Sequence, residues 1–181
     1  MQQSNKQPVE QSAFNKVLDF SRTVYPLKCL TRYNTRHRIK DESVAEHLAF
    51  VTLIVLDLHR YYKFNLQRAM VMAITHDLPE LEVSDVPYTI KRNHPGIGKA
   101  IKEAEVKVWV DKFPDWSDIN FELMEGHTIE SIMVEFADAI SCYQYATNEM
   151  AIGNKSMLDI HTTSYNRCRE FEPQIRGRLR E

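Results

Sequence analysis

Apolar residues recur along this chain at helical spacing, and no segment alternates convincingly as a strand does. Phe14, Val17, Leu18 and Phe20 predict a first helix from Ser12 to about Tyr25, stopped by Pro26. Ser43-Val-Ala-Glu46 has the form of a capping box. Behind it, Val44, Leu48, Val51, Val55 and Leu58 form a stripe that predicts a helix to about Tyr62, with His47 at its border. Asn65 caps a helix over 66–77. Its centre, Ala69-Met-Val-Met-Ala-Ile74, is apolar nearly all round, the pattern of a central buried helix. It ends in Thr75-His76-Asp77, with Pro79 just beyond. An acidic stretch over 80–86 is closed by Pro87, and Asn93-His94-Pro95-Gly96 reads as a turn. Further helices are predicted over 98–113, 119–124, 131–150 and 156–171, with Pro114 breaking the first of these.

The implied fold is all-α, a single helical bundle of about six or seven helices. The chain has 181 residues, enough for one domain with a sizeable core; we expect a flexible polar tail over 1–11 and one domain over 12–181. Hydrophobic residues at 43% and charged residues at 27% describe an ordinary globule, so neither metal nor disulfide is needed merely to fold. A net charge of −2 argues against a nucleic-acid polymer as partner and for a small, locally held anion. Cys29, Cys142 and Cys168 are odd in number and widely spaced, which suits a reducing, cytoplasmic setting. The polar N-terminus has no signal-peptide core, and the apolar run near 50–58 is too short for a bilayer, so no membrane partner is expected.

Four polar residues stand on or at the ends of helices predicted to be buried: His47, His76, Asp77 and Asp138. Asp138 lies in Val134-Glu-Phe-Ala-Asp-Ala-Ile140, where an ionised carboxylate has to be paired or coordinated. A set of two His and two Asp suits Mn²⁺, Co²⁺, Zn²⁺, Ni²⁺ or Fe²⁺. Spacing alone leaves open hydrogen-bonded core histidines and an Asp–Arg pair. Six Lys or Arg lie from Arg22 to Lys40, with no acidic residue among them: a solvated face, or an attractive field beside the first histidine.

Glu46-His47, Thr75-His76-Asp77 and Glu135-Phe-Ala-Asp138 resemble the H…HD…D signature of the HD-domain metal phosphohydrolases. Leu30-Thr-Arg32-Tyr33 ahead of Ser43-Val-Ala-Glu-His47, then His76-Asp-Leu-Pro-Glu80, then Glu80-Leu-Glu-Val-Ser-Asp85-Val-Pro87 and Lys91, are similar to the HD-domain 5′-deoxynucleotidases over roughly residues 14–150. Tyr33 stands where that family usually has Trp. The resemblance implies a divalent metal (Mn, Co, Zn, Ni, Fe or Mg) held by His47, His76, Asp77 and Asp138. It implies Glu80 and Asp85 in catalysis, and Arg32, Tyr33, Asp85 and Lys91 on the substrate. It further implies hydrolysis of deoxyribonucleoside 5′-monophosphates and a homo-oligomer. The same motifs are similar to those of phage enzymes that release triphosphate from dATP, which is the alternative activity; a catalytically silent nucleotide-binding module is a third.

Overall fold

The computed structural model describes residues 12–178, and the tail expected over 1–11 lies outside them. Among the described residues the chain is all-α: α1 (Ala13–Val24), α2 (Val44–Leu58), α3 (Leu66–Thr75), α4 (Glu80–Val83), α5 (Tyr88–Asn93), α6 (Pro95–Lys112), α7 (Pro114–Glu125), α8 (Ile129–Ala151) and α9 (Leu158–Arg178). Seven of these run ten residues or longer, in keeping with the expected bundle. α8 lies at the centre, against α2, α3, α7 and α9. Its Ile132, Met133, Val134 and Ala137 join Val51 and Val55 of α2, Met72 and Ala73 of α3, and Phe171 and Ile175 of α9 in the main core. A second cluster, of Leu27, Val44, Leu48, Leu78, Trp109 and Phe113, closes the other end of α2.

The Ser43–Glu46 capping box forms as expected. It points the stripe of α2 inward, and His47, three residues after Val44 and four before Val51, is buried with that stripe. α2 stops at Leu58, earlier than Tyr62. α3 is less enclosed than its composition suggests: Ala69, Met72 and Ala73 face the core, while Ile74 is 44% exposed because α2, α7 and α8 leave one side open. The Asn93–Gly96 segment is a junction between α5 and α6 rather than a free turn. Pro95 and Pro114 open α6 and α7, since the first helical position needs no N–H. Thr128 caps α8 reciprocally with Ser131, starting it two residues early.

The basic segment between α1 and α2 is a closed excursion. Thr31 and Ser43 pair in an antiparallel bridge, with Arg32 N–H donating to the Glu42 carbonyl at 2.9 Å and Val44 N–H to the Leu30 carbonyl at 2.8 Å. Arg32 is thereby brought against the first turn of α2, beside His47.

Candidate metal and phosphate site

His47 comes from α2, His76 caps α3 at its C-terminal end, Asp77 follows it, and Asp138 comes from α8. Ligand atoms of His47, His76 and Asp138 all lie within 4.8 Å of one another. Asp77 Oδ2 stands 3.5 Å from His47 Nε2 and 3.3 Å from His76 Nε2, and Asp138 Oδ1 stands 3.3 Å from His47 Nε2. The fold thus brings together all four residues singled out in the sequence.

The residues fit a cation. Both Nε2 atoms are buried and lack a hydrogen-bond partner. His76 Nδ1 lies 2.9 Å from the Ala73 carbonyl, which can only accept, so Nδ1 carries the proton and Nε2 presents its lone pair. Burial, then the Arg32 charge, pushes the His47 pKa down to about 4, so its ring is neutral near pH 7. Burial alone would raise Asp138; the close approach of His47 Nε2 and then the Arg167 charge outweigh burial and hold the carboxyl well below its usual range.

Around this cluster lies a cleft of about 260 Å³, lined among others by Arg32, Tyr33, Glu80, Asp85 and Lys91. All the candidates named from the sequence for chemistry or substrate therefore face one cavity. Glu80 opens α4 one turn after His76. Burial, then Asp77 and Asp85, pushes its carboxyl up to about 10, and Oε2 is buried without a partner. Arg32 is 8% exposed and stays charged. Burial works against the charge, but Tyr33, Cys142, Asp138 and Asp77 outweigh it. Its Nη1 reaches Glu42 at 3.1 Å and His47 Nδ1 at 2.6 Å.

Tyr33 and Asp85 are linked. The Tyr33 N–H donates to Asp85 Oδ2 at 2.6 Å, and Tyr33 is held at φ 54°, a left-handed conformation uncommon for a bulky side chain. The Tyr33 ring stacks on Tyr145, centroids 4.9 Å apart and planes 8° from parallel, so one of its faces is already covered. Lys91, on α5, pairs with Glu105 at 2.9 Å.

Several residues of the cleft carry no signal in the sequence. α9 supplies a wall through Asp159, Ile160, Thr163, Ser164 and Arg167, and α5 supplies Tyr88. Their positions follow one helical face, but α9 lies beyond the motifs and is mostly polar, so nothing in its pattern marks that face. Ser141, 3.0 Å from His47 Nδ1, was likewise hidden in the apolar run of α8.

A family model described as 5′-deoxynucleotidase YfbR-like matches residues 19–176. The chain belongs to this family. Curated relatives include the 5′-deoxynucleotidase YfbR of Escherichia coli O1:K1 and the 5′-deoxynucleotidase of Citrobacter koseri, each 29% identical over 145 residues, 73% of this chain and 73% of the relative. Among solved structures, the PH0347 protein from Pyrococcus horikoshii superposes with a TM-score of 0.73 at 24% identity, covering 92% of this chain and 97% of its own. An HD-domain phosphohydrolase from Listeria innocua superposes with a TM-score of 0.67 at 16% identity, covering 82% and 78%. YfbR-like membership extends the resemblance past residue 150 to take in most of α9, and with it the wall that the motifs did not mark.

Proposed function

We propose that this chain is a metal-dependent phosphohydrolase that cleaves deoxyribonucleoside 5′-monophosphates to deoxynucleoside and phosphate. The observation that carries this reading is the meeting, at one cleft, of His76 and Asp138, with His47 buried behind them in the same cluster, the buried Glu80 carboxyl and the Arg32 guanidinium. A divalent cation held by His47, His76, Asp77 and Asp138 would neutralise charge on the phosphoryl oxygens and make water more acidic. Arg32 presents a planar fork of donors to the phosphate, and Lys91 adds a point charge. Glu80 holds a proton near neutral pH and gives it to the departing 5′-oxygen. Tyr33 and Asp85, bonded to one another, close on the sugar, where a ribose 2′-hydroxyl would be left crowded or unpaired.

Mono- rather than triphosphates are favoured by how the basic loop is used. Of the basic residues over 32–40, Arg32 and Arg36 line the cleft while Arg38 and Lys40 do not, so the loop offers the cleft little charge for a longer polyphosphate. We take the substrate to be a free cytoplasmic nucleotide; among the described residues no helix is long and apolar enough to cross a membrane. Exposed Leu53 and Leu56 on α2 support a homo-oligomer. The test is a panel of deoxy- and ribonucleotides, as mono- and triphosphates, with Mn²⁺, Co²⁺ or Zn²⁺ added. Orthophosphate release from dAMP or its congeners, well above that from AMP, is expected. Triphosphate release from dATP with no turnover of dAMP would replace this reading by the dATP triphosphohydrolase.

A further inference from the structure

The cleft holds a cation whose partner is a metal-ligand candidate. Arg32 meets Glu42 at 3.1 Å, Arg36 meets Asp159 at 2.6 Å and Lys91 meets Glu105 at 2.9 Å, none of these carboxylates belonging to the His47–His76–Asp77–Asp138 set. Arg167, on α9, meets only Asp138 Oδ2, at the longer distance of 3.4 Å. Among the described residues no other acceptor is hydrogen-bonded to its guanidinium, so most of its five N–H groups have no protein partner, and the residue lines the cleft. The guanidinium carbon lies over the Tyr88 ring, 5.6 Å from its centroid, within the range of a cation–π contact, which needs none of the N–H donors. The side chain is 27% exposed, which leaves it within reach of a ligand yet partly screened from water. A cation held at Asp138 would draw that carboxylate's charge away from Arg167.

We propose that Arg167 is a second phosphate-binding residue, whose guanidinium donates to the substrate's phosphoryl oxygens from the α9 wall while Arg32 does so from the basic loop. This rests on the phosphohydrolase reading above. It assigns a substrate contact to a residue outside the H…HD…D motifs.

The full-length protein loaded with Mn²⁺ provides the test. Inorganic phosphate is titrated calorimetrically into the parent, Arg167→Ala and Arg167→Gln, Mn²⁺ content is measured on each, and KM is measured for a deoxynucleoside monophosphate. Both variants should bind phosphate about 10- to 100-fold more weakly, the scale of a lost charge-assisted hydrogen bond, with Mn²⁺ content unchanged and KM raised in step. Should the alanine variant fail to fold, the glutamine variant, which keeps a long stem against Tyr88, carries the same expectation. Parent-like phosphate affinity in a folded variant overturns the proposal. So does loss of Mn²⁺ in step with phosphate, which would make Arg167 a positioning residue for Asp138. A parent that binds no phosphate also overturns it. A parent that binds phosphate in an Arg167-dependent way but turns over no nucleoside monophosphate leaves Arg167 in place and removes the substrate reading instead.

Discussion

Arg32 Nη1 and His47 Nδ1 lie 2.6 Å apart, and the same Nδ1 lies 3.0 Å from Ser141 Oγ. The two partners ask for opposite tautomers. A guanidinium only donates, so its bond to Nδ1 requires a lone pair there and leaves the proton on Nε2. A histidine that gives Nε2 to a metal keeps its proton on Nδ1 and needs an acceptor, which only the Ser141 hydroxyl offers. Occupation of the site therefore favours the Ser141 bond and releases Arg32 Nη1 from His47, leaving its contact with Glu42 at 3.1 Å.

The Ser141→Ala variant should consequently hold metal about 10- to 100-fold more weakly, the usual effect of removing a histidine's outer partner. Metal titration of the purified variant, with its helical content verified by circular dichroism, reads this directly. Unchanged metal affinity would mean that the ring proton has another acceptor.

Asp77→Ala and Asp138→Ala should each yield a folded protein with little bound metal and no turnover, since neither carboxylate belongs to the apolar clusters that hold the helices together. Elemental analysis after dialysis against Mn²⁺ or Zn²⁺ is the readout. Parent-like metal content in the Asp138 variant would remove it from the ligand set.

Glu80 gives a pH signature. Its folded-state pKa is raised from 4.5 to about 10, so the folded protein keeps a proton that the unfolded chain loses above about 4.5. The folded state binds more protons in that window, and its stability falls as pH rises through it. Glu80→Gln removes the effect. In metal-free protein, the melting temperature of the variant should exceed that of the parent at pH 8, with the gap closing as pH approaches 4.5. Loaded with metal, the same variant should lose about 10²–10⁴ in kcat, the range for a general acid or base. A near-normal kcat would take Glu80 out of the chemistry.

The long helices were legible because each advertises itself locally: the stripe of α2, the Ser43 and Asn65 caps, and the apolar run of α8 all depend on neighbours in sequence. The four metal-site candidates drew notice as polar residues among apolar neighbours, but spacing alone left ordinary core histidines and an Asp–Arg pair open, and the resemblance to the H…HD…D signature selected them. What stayed hidden depends on contacts remote in sequence. One face of α8 carries Asp138, Ser141, Cys142, Tyr145 and Glu149 at helical spacing, and each serves a different part of the site. Ser141 meets His47, Cys142 Sγ lies 3.5 Å from Arg32 Nη2, and Tyr145 stacks on Tyr33 and donates to the Lys40 carbonyl. Serine, cysteine and tyrosine are ordinary occupants of a helix interior, so nothing in the composition separates this face from plain core. Arg167 is hidden for the converse reason: among so many charged residues in α9, one more arginine is unremarkable until the fold sets it against Asp138.

Glu149 is the last member of that face and the one on which the basic loop hangs. It is 1% exposed, and its carboxylate accepts the Ile39 and Lys40 backbone N–H groups, each at 2.8 Å, and Asn154 Nδ2 at 2.7 Å. Burial alone would raise its pKa; the three donors and the nearby His37 outweigh burial and hold it below the ordinary carboxyl value. A depressed folded-state pKa stabilises above about 4.5 and loses that contribution as pH falls below it. Glu149→Ala leaves buried donors unpaired and should cost about 2–4 kcal/mol near pH 7, lowering the melting temperature by roughly 5–15 °C. Glu149→Gln, with one accepting oxygen in place of two, should fall between. The difference between parent and Glu149→Gln should narrow as pH falls below about 4.5, where the unfolded chain takes up a proton that the folded carboxylate resists. Because the loop over 32–42 carries Arg32, KM measured well below both melting temperatures should rise in the glutamine variant more than kcat falls. A glutamine variant that melts with the parent throughout this pH range would show that the loop is held by its bridge at Thr31 and Ser43 rather than by this buried carboxylate.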